Sequence, residues 1–137
     1  AITYWIAQIG GALAAWAIAT FIFDVEGTGT SAVKSVGQGL AAELLGTFAL
    51  AYVVLNTATA KATNGNSFYG LAIGFTVMAF AFTFGGFSGA AYNRSVAIGA
   101  CLMKGFLWAD IWIYLVGSLV GGALAAIIFN LSNPEDK

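Results

Sequence analysis

The chain has 137 residues, 60% of them hydrophobic and 8% charged, with a formal net charge of −1; its mean hydropathy is +0.88. That composition belongs to a polytopic membrane protein with room for about four spans of roughly 20 residues, and it leaves no basic footprint for nucleic acid. There is no histidine and a single cysteine, Cys101, which excludes an internal disulfide, His/Cys metal clusters and histidine-based catalysis.

The first predicted span runs from Ile2 to Phe23, and Asp24-Val25-Glu26-Gly27 is expected to end it in water. The chain opens at Ala1 on the edge of this run, without an initiator Met or a basic n-region, as a processed protein or the ordered part of a longer one would. Gly10, Gly11 and Ala14 offer a small-residue face for close helix packing. A Gly/Thr/Ser-rich loop carrying Lys34 leads to a second span, about 40–57, that contains Glu43. An intramembrane carboxylate is costly and normally has a partner, so Glu43 is a candidate functional residue unless it lies close enough to the interface to be solvated.

After a polar connection with an Asn64-Gly65 turn signal, the third span covers about 68–84. The stretch of about 85–105 is too polar and glycine-rich to span. It is predicted to form a re-entrant loop capped by Asn93, then an apolar half-helix in which Cys101 is a small core hydrophobe. Irregular backbone at membrane depth survives only when buried in protein or lining a watery cavity. Trp108 and Trp112 flank Asp110 as an interface belt. The fourth span, about 111–129, carries the packing residues Gly117, Gly121, Gly122 and Ala125. Lys61 and Lys137 fall on one side, Lys34, Arg94 and Lys104 on the other, which leaves orientation undetermined. Asn93-Arg94-Ser95 and Asn130-Leu131-Ser132 match the glycosylation acceptor pattern but lie in or beside apolar segments.

Gly10 to Ala15 recurs letter for letter as Gly121 to Ala126, an offset of 111 residues. Many transport folds are duplicated with inverted halves meeting at the midplane. On that pattern the counterpart of Asn93 falls before the start of the chain.

These residues resemble those of the aquaporins, the major intrinsic protein family. Tyr4 to Ala12 is similar to the family's third helix, Ala42-Glu43-Leu44-Leu45-Gly46-Thr47-Phe48 to the fourth and Leu71-Ala72-Ile73-Gly74 to the fifth. Ser88 to Asn93 resembles the second pore loop, and Trp112 to Ala126 the sixth helix. The resemblance implies an all-α membrane protein with four transmembrane helices and one re-entrant half-helix. The fold it implies is a truncated aquaporin-like one, expected as a single domain over residues 1–137.

The departures bear on function. Where the family has Asn-Pro-Ala followed by Arg, this chain has Asn93-Arg94-Ser95-Val96. By the same resemblance the selectivity-filter positions fall on Ala81, Ala90 and Val96, so the narrow polar ring of water-selective members is missing. Glu43 matches the residue that braces the family's pore loop. Arg94 would put a full charge at midplane depth and is expected to pair with Glu43, plugging the pore.

A pore of this type needs two half-helices meeting at their N-termini, and the chain supplies one. The expectation is therefore a non-transporting subunit of a larger membrane complex, contacting the bilayer and other integral membrane subunits, in a photosynthetic or respiratory (thylakoid or mitochondrial inner) membrane. The alternative is a channel for water or small neutral solutes whose missing half-pore comes from absent sequence or another chain. The sequence requires no cofactor and leaves room for a bound lipid or pigment. It holds no nucleophile–base or metal constellation, so no enzyme is expected.

Overall fold

A computed structural model describes residues 2–23 and 29–136. The expected end of the first span at Asp24 to Gly27 lies outside the described residues, as do Ala1 and Lys137. The described elements are helical: α1 (Ile2–Phe23), α2 (Val36–Val54), α3 (Tyr69–Ser88), α4 (Arg94–Leu102) and α5 (Ile111–Ser132), joined by short 3-10 and π turns. Among the described residues, four helices are long and apolar enough to cross a membrane. Helix α4 has nine residues and rises only about 13 Å, less than half of a hydrocarbon core of about 30 Å.

Local chemistry sets the boundaries and moves three of them from the sequence expectation. Helix α2 begins at Val36 instead of residue 40, because the Ser35 hydroxyl accepts the Gln38 N–H at 3.3 Å. It closes in a π-helical turn, Leu55–Thr59, where the Thr57 and Thr59 hydroxyls donate back to the Val53 and Leu55 carbonyls. Helix α3 runs past residue 84 to Ser88, and Gly89 stops it with a left-handed conformation, φ +85°. A side chain at Gly89 would also meet the Phe106 ring at 2.5 Å. Helix α5 extends to Ser132. The irregular part ahead of the half-helix is thereby reduced to the five residues Gly89 to Asn93.

Helix α2 is the centre of the bundle and packs on α5 and α3, while α1 meets the rest through α4. The packing residues divide accordingly. Gly117 and Gly121 bring α5 against the α2 backbone: a Cβ on Gly117 would lie 2.7 Å from the Glu43 Cβ, and one on Gly121 2.5 Å from the Leu44 carbonyl oxygen. Ala125 is fully buried. Gly122, Gly10 and Gly11 face open space, and Ala14 is exposed. The expected packing role of these four is therefore not seen. Gly122 lies off the face of α5 turned to α2, and a methyl added at Gly10 or Gly11 would meet no atom within 4 Å among the described residues. Large apolar side chains such as Phe21 and Phe82 point outward, as a lipid-facing surface requires.

Candidate pore loop and half-helix

Glu43 holds the pore loop. Its residue is 0% exposed, which overturns the interface-solvated reading. One carboxylate oxygen, Oε1, accepts the Ser88 hydroxyl at 2.6 Å and the Ala91 N–H at 3.0 Å. The other, Oε2, accepts the Tyr92 N–H at 2.7 Å. The Ser88 hydroxyl in turn accepts the Ala90 N–H at 3.1 Å. Two successive loop amides are thus drawn onto α2, a helix that the loop does not belong to, and the Ala90 amide joins them indirectly through the Ser88 hydroxyl.

That pull holds the backbone in an unusual shape. Ala90 and Tyr92 have φ of +58° and +48°, in the left-handed region that non-glycine residues seldom occupy. Such residues persist only where their surroundings over-determine them, and here they do. The Tyr92 ring fills the space above Gly46, where a Cβ would come within 2.1 Å of it, and its hydroxyl donates to the Phe80 carbonyl at 2.7 Å. The Tyr114 hydroxyl donates to the Ser88 carbonyl at 2.6 Å, and its ring stacks on Phe106 with centroids 4.7 Å apart. Tyr92 and Tyr114 escaped the sequence reading, because a tyrosine in an apolar run gives no sign of its hydroxyl's target.

Asn93 starts the half-helix. Its backbone is extended, and its side-chain oxygen accepts the Ser95 N–H at 2.8 Å. Ser95 is buried and its hydroxyl, like that of Thr47, has no partner among the described residues. Cys101 is buried at the far end of α4.

Arg94 does not pair with Glu43. Its guanidinium carbon lies 4.4 Å from the centroid of the Trp5 ring of α1, while the Glu43 oxygens are engaged by three donors from the loop. The expected plug fails for a geometric reason: the carboxylate serves the loop before Asn93, and the Arg94 side chain points the other way, to α1.

The filter-equivalent positions lie on three different segments, α3, the pore loop and α4. Ala81 is half-buried on α3 and Ala90 sits in the strained loop. Val96, 54% exposed, lines a mainly apolar cleft of about 580 Å³ between α1 and α4, with Gly11, Ala12 and Trp16 on the opposite wall.

The family model for "Major intrinsic protein" matches residues 1–129. The chain belongs to the major intrinsic proteins. It is 39% identical to "Aquaporin TIP2-3" of Arabidopsis thaliana over 92% of its own length and 52% of that protein. It is 37% identical to "Aquaporin TIP1-1" of Zea mays over 93% and 52%, and 34% identical to "Probable aquaporin NIP-type" of Nicotiana alata over 98% and 50%. The chain thus spans about half the length of the curated relatives it matches. As a major intrinsic protein it is a multi-pass membrane protein in contact with the bilayer. These relatives, all named as aquaporins, give no support to a subunit of a photosynthetic or respiratory complex, nor to an organellar membrane, and they favour the channel alternative.

Proposed function

We propose that the chain forms one half of a channel for water or small neutral solutes, with the opposing half-helix supplied by further sequence or by another polypeptide. The observation that carries this reading is the loop hung from Glu43. The amides of Ala90, Ala91 and Tyr92 are consumed inside the protein, whereas the carbonyls of Gly89 to Tyr92 receive no hydrogen bond among the described residues. A row of free acceptors at membrane depth suits a path for solutes that donate hydrogen bonds. The cleft beside α4 and the uncovered small-residue face of α1 supply a place for the second half to pack.

The test is osmotic water permeability in liposomes, by stopped-flow light scattering. The chain is reconstituted alone and together with the polypeptide segment that completes it. Fast shrinkage at low activation energy is expected for the completed protein. Permeability equal to that of protein-free vesicles in both preparations would overturn the proposal. With Ala81, Ala90 and Val96 at the filter positions, glycerol or urea should pass as well as water. Val96→Arg introduces a guanidinium at an exposed position and is expected to cut glycerol flux more than water flux; equal loss of both would place Val96 outside the path.

A further inference from the structure

We propose that a small cleft at the start of α4 binds a monovalent anion of halide size, held by Arg94, Asn93 and Thr47. The cleft has a volume of about 120 Å³ and is lined by Gln8, Thr47, Tyr92, Asn93, Arg94 and Ser118, with no carboxylate among them. Thr47 is 8% exposed, and its hydroxyl is buried without a hydrogen-bond partner. An unmade buried hydrogen bond costs about 1–3 kcal/mol, so this hydroxyl calls for an occupant. Asn93 spends its side-chain oxygen on the Ser95 N–H, which leaves its NH₂ without an acceptor among the described residues. The Gln8 amide has no described partner either, and both line the cleft.

Charge separates an anion from a water molecule. Glu43 is the only acidic residue within α1 to α5, and the loop occupies it. Arg94 forms no ion pair among the described residues and rests on Trp5. Its position at the start of α4 adds its charge to the positive end of the helix dipole. Water would satisfy Thr47 but leave that field uncompensated, whereas an anion answers both. The volume accommodates a halide with one or two waters, each taking roughly 30 Å³. Chloride is the ion of this class at highest supply in most aqueous compartments. The inference is independent of whether the protein conducts water.

Trp5 reports on the site, because iodide seated at Arg94 lies against its ring and quenches it. The full polypeptide carrying this chain, with Trp16, Trp108 and Trp112 replaced by Phe, is titrated with iodide against gluconate at constant ionic strength. Saturable, lifetime-independent quenching of Trp5 is expected, and excess chloride should compete it away. Arg94→Pro installs a residue suited to the first helical position and should weaken binding at least about tenfold, the loss of one hydrogen bond to a charged group. Arg94→Lys should retain it, and Thr47→Val should weaken it severalfold. Purely collisional quenching, or an unchanged titration in Arg94→Pro, would overturn the proposal. Should Arg94→Pro fail to fold by circular dichroism, Arg94→Gln and Thr47→Val decide on the same readout. Loss of water transport with saturable quenching retained would count against the channel reading alone.

Discussion

Glu43→Ala is expected to abolish the folded protein, and Glu43→Gln to leave a folded protein whose loop is loosened. Alanine would remove the acceptor for the Ser88 hydroxyl and for the Ala91 and Tyr92 amides at once. All three donors lie where no bulk water reaches them: Ser88 is 0% exposed, and Ala91 and Tyr92 are below a tenth. Each orphaned buried donor costs about 1–3 kcal/mol, and the sum rivals the 5–15 kcal/mol that stabilises a typical domain. The positive-φ residue Tyr92 would at the same time lose the bond from its own amide, and Ala90, whose amide rests on the Ser88 hydroxyl, would lose the anchor of that hydroxyl, so the stored strain is released in the direction of unfolding.

Glutamine is nearly isosteric and keeps one acceptor oxygen. If that oxygen faces Ser88 and Ala91, an NH₂ group confronts the Tyr92 N–H, donor against donor. One of the three bonds is lost and the other two weaken, since bonds to a charged acceptor are about twice as strong as neutral ones. Thermal unfolding in detergent should therefore show a clear downward shift for Glu43→Gln and no cooperative transition for Glu43→Ala. Hydrogen exchange adds a local signature. In Glu43→Gln the Ala91 and Tyr92 amides should exchange much faster while the α2–α5 amides stay protected. A Glu43→Ala protein with wild-type stability would show that the tyrosine contacts alone hold the loop.

How much of this was legible in the sequence follows from the range of each interaction. The spans are written in composition, because a bilayer leaves few alternatives to about 20 apolar residues in a helix. The cap at Asn93 is written locally, since an Asn before a short apolar run has one preferred partner two residues on. Glu43 stood out as the one carboxylate in a span, but its partner did not. Charge arithmetic paired it with Arg94, whereas the folded chain offers it neutral donors 45 to 49 residues away. Counting ions cannot find a backbone amide, which every residue but proline possesses. The small-residue faces show the same limit. Gly121 and Gly122 are adjacent and identical in type, and a rotation of about 100° per residue decides which one meets a neighbour.

That contrast makes the sharpest packing experiment. Gly121→Ala is expected to destabilise the protein by about 3 kcal/mol, at the top of the usual range for overpacking, while Gly122→Ala should be neutral or slightly stabilising. A methyl on Gly121 would sit 2.5 Å from the Leu44 carbonyl oxygen and 3.0 Å from the Phe48 nitrogen. Both are backbone atoms of α2, so no side chain can rotate out of the way and the two helices must separate. Separation would spread to Gly117, whose Cβ would already lie 2.7 Å from that of Glu43, and so to the carboxylate that holds the loop. Gly122 has nothing within 4 Å, and alanine there gains helix propensity of up to about 1 kcal/mol. Unfolding midpoints of the two variants, measured side by side, should move in opposite directions or differ by several degrees. In Gly121→Ala the Tyr92 amide should also lose protection, because displacement of α2 carries Glu43 away from the loop. Equal midpoints would mean that α5 does not lie against α2 through this glycine, and the path from helix packing to loop geometry would be broken at its first step.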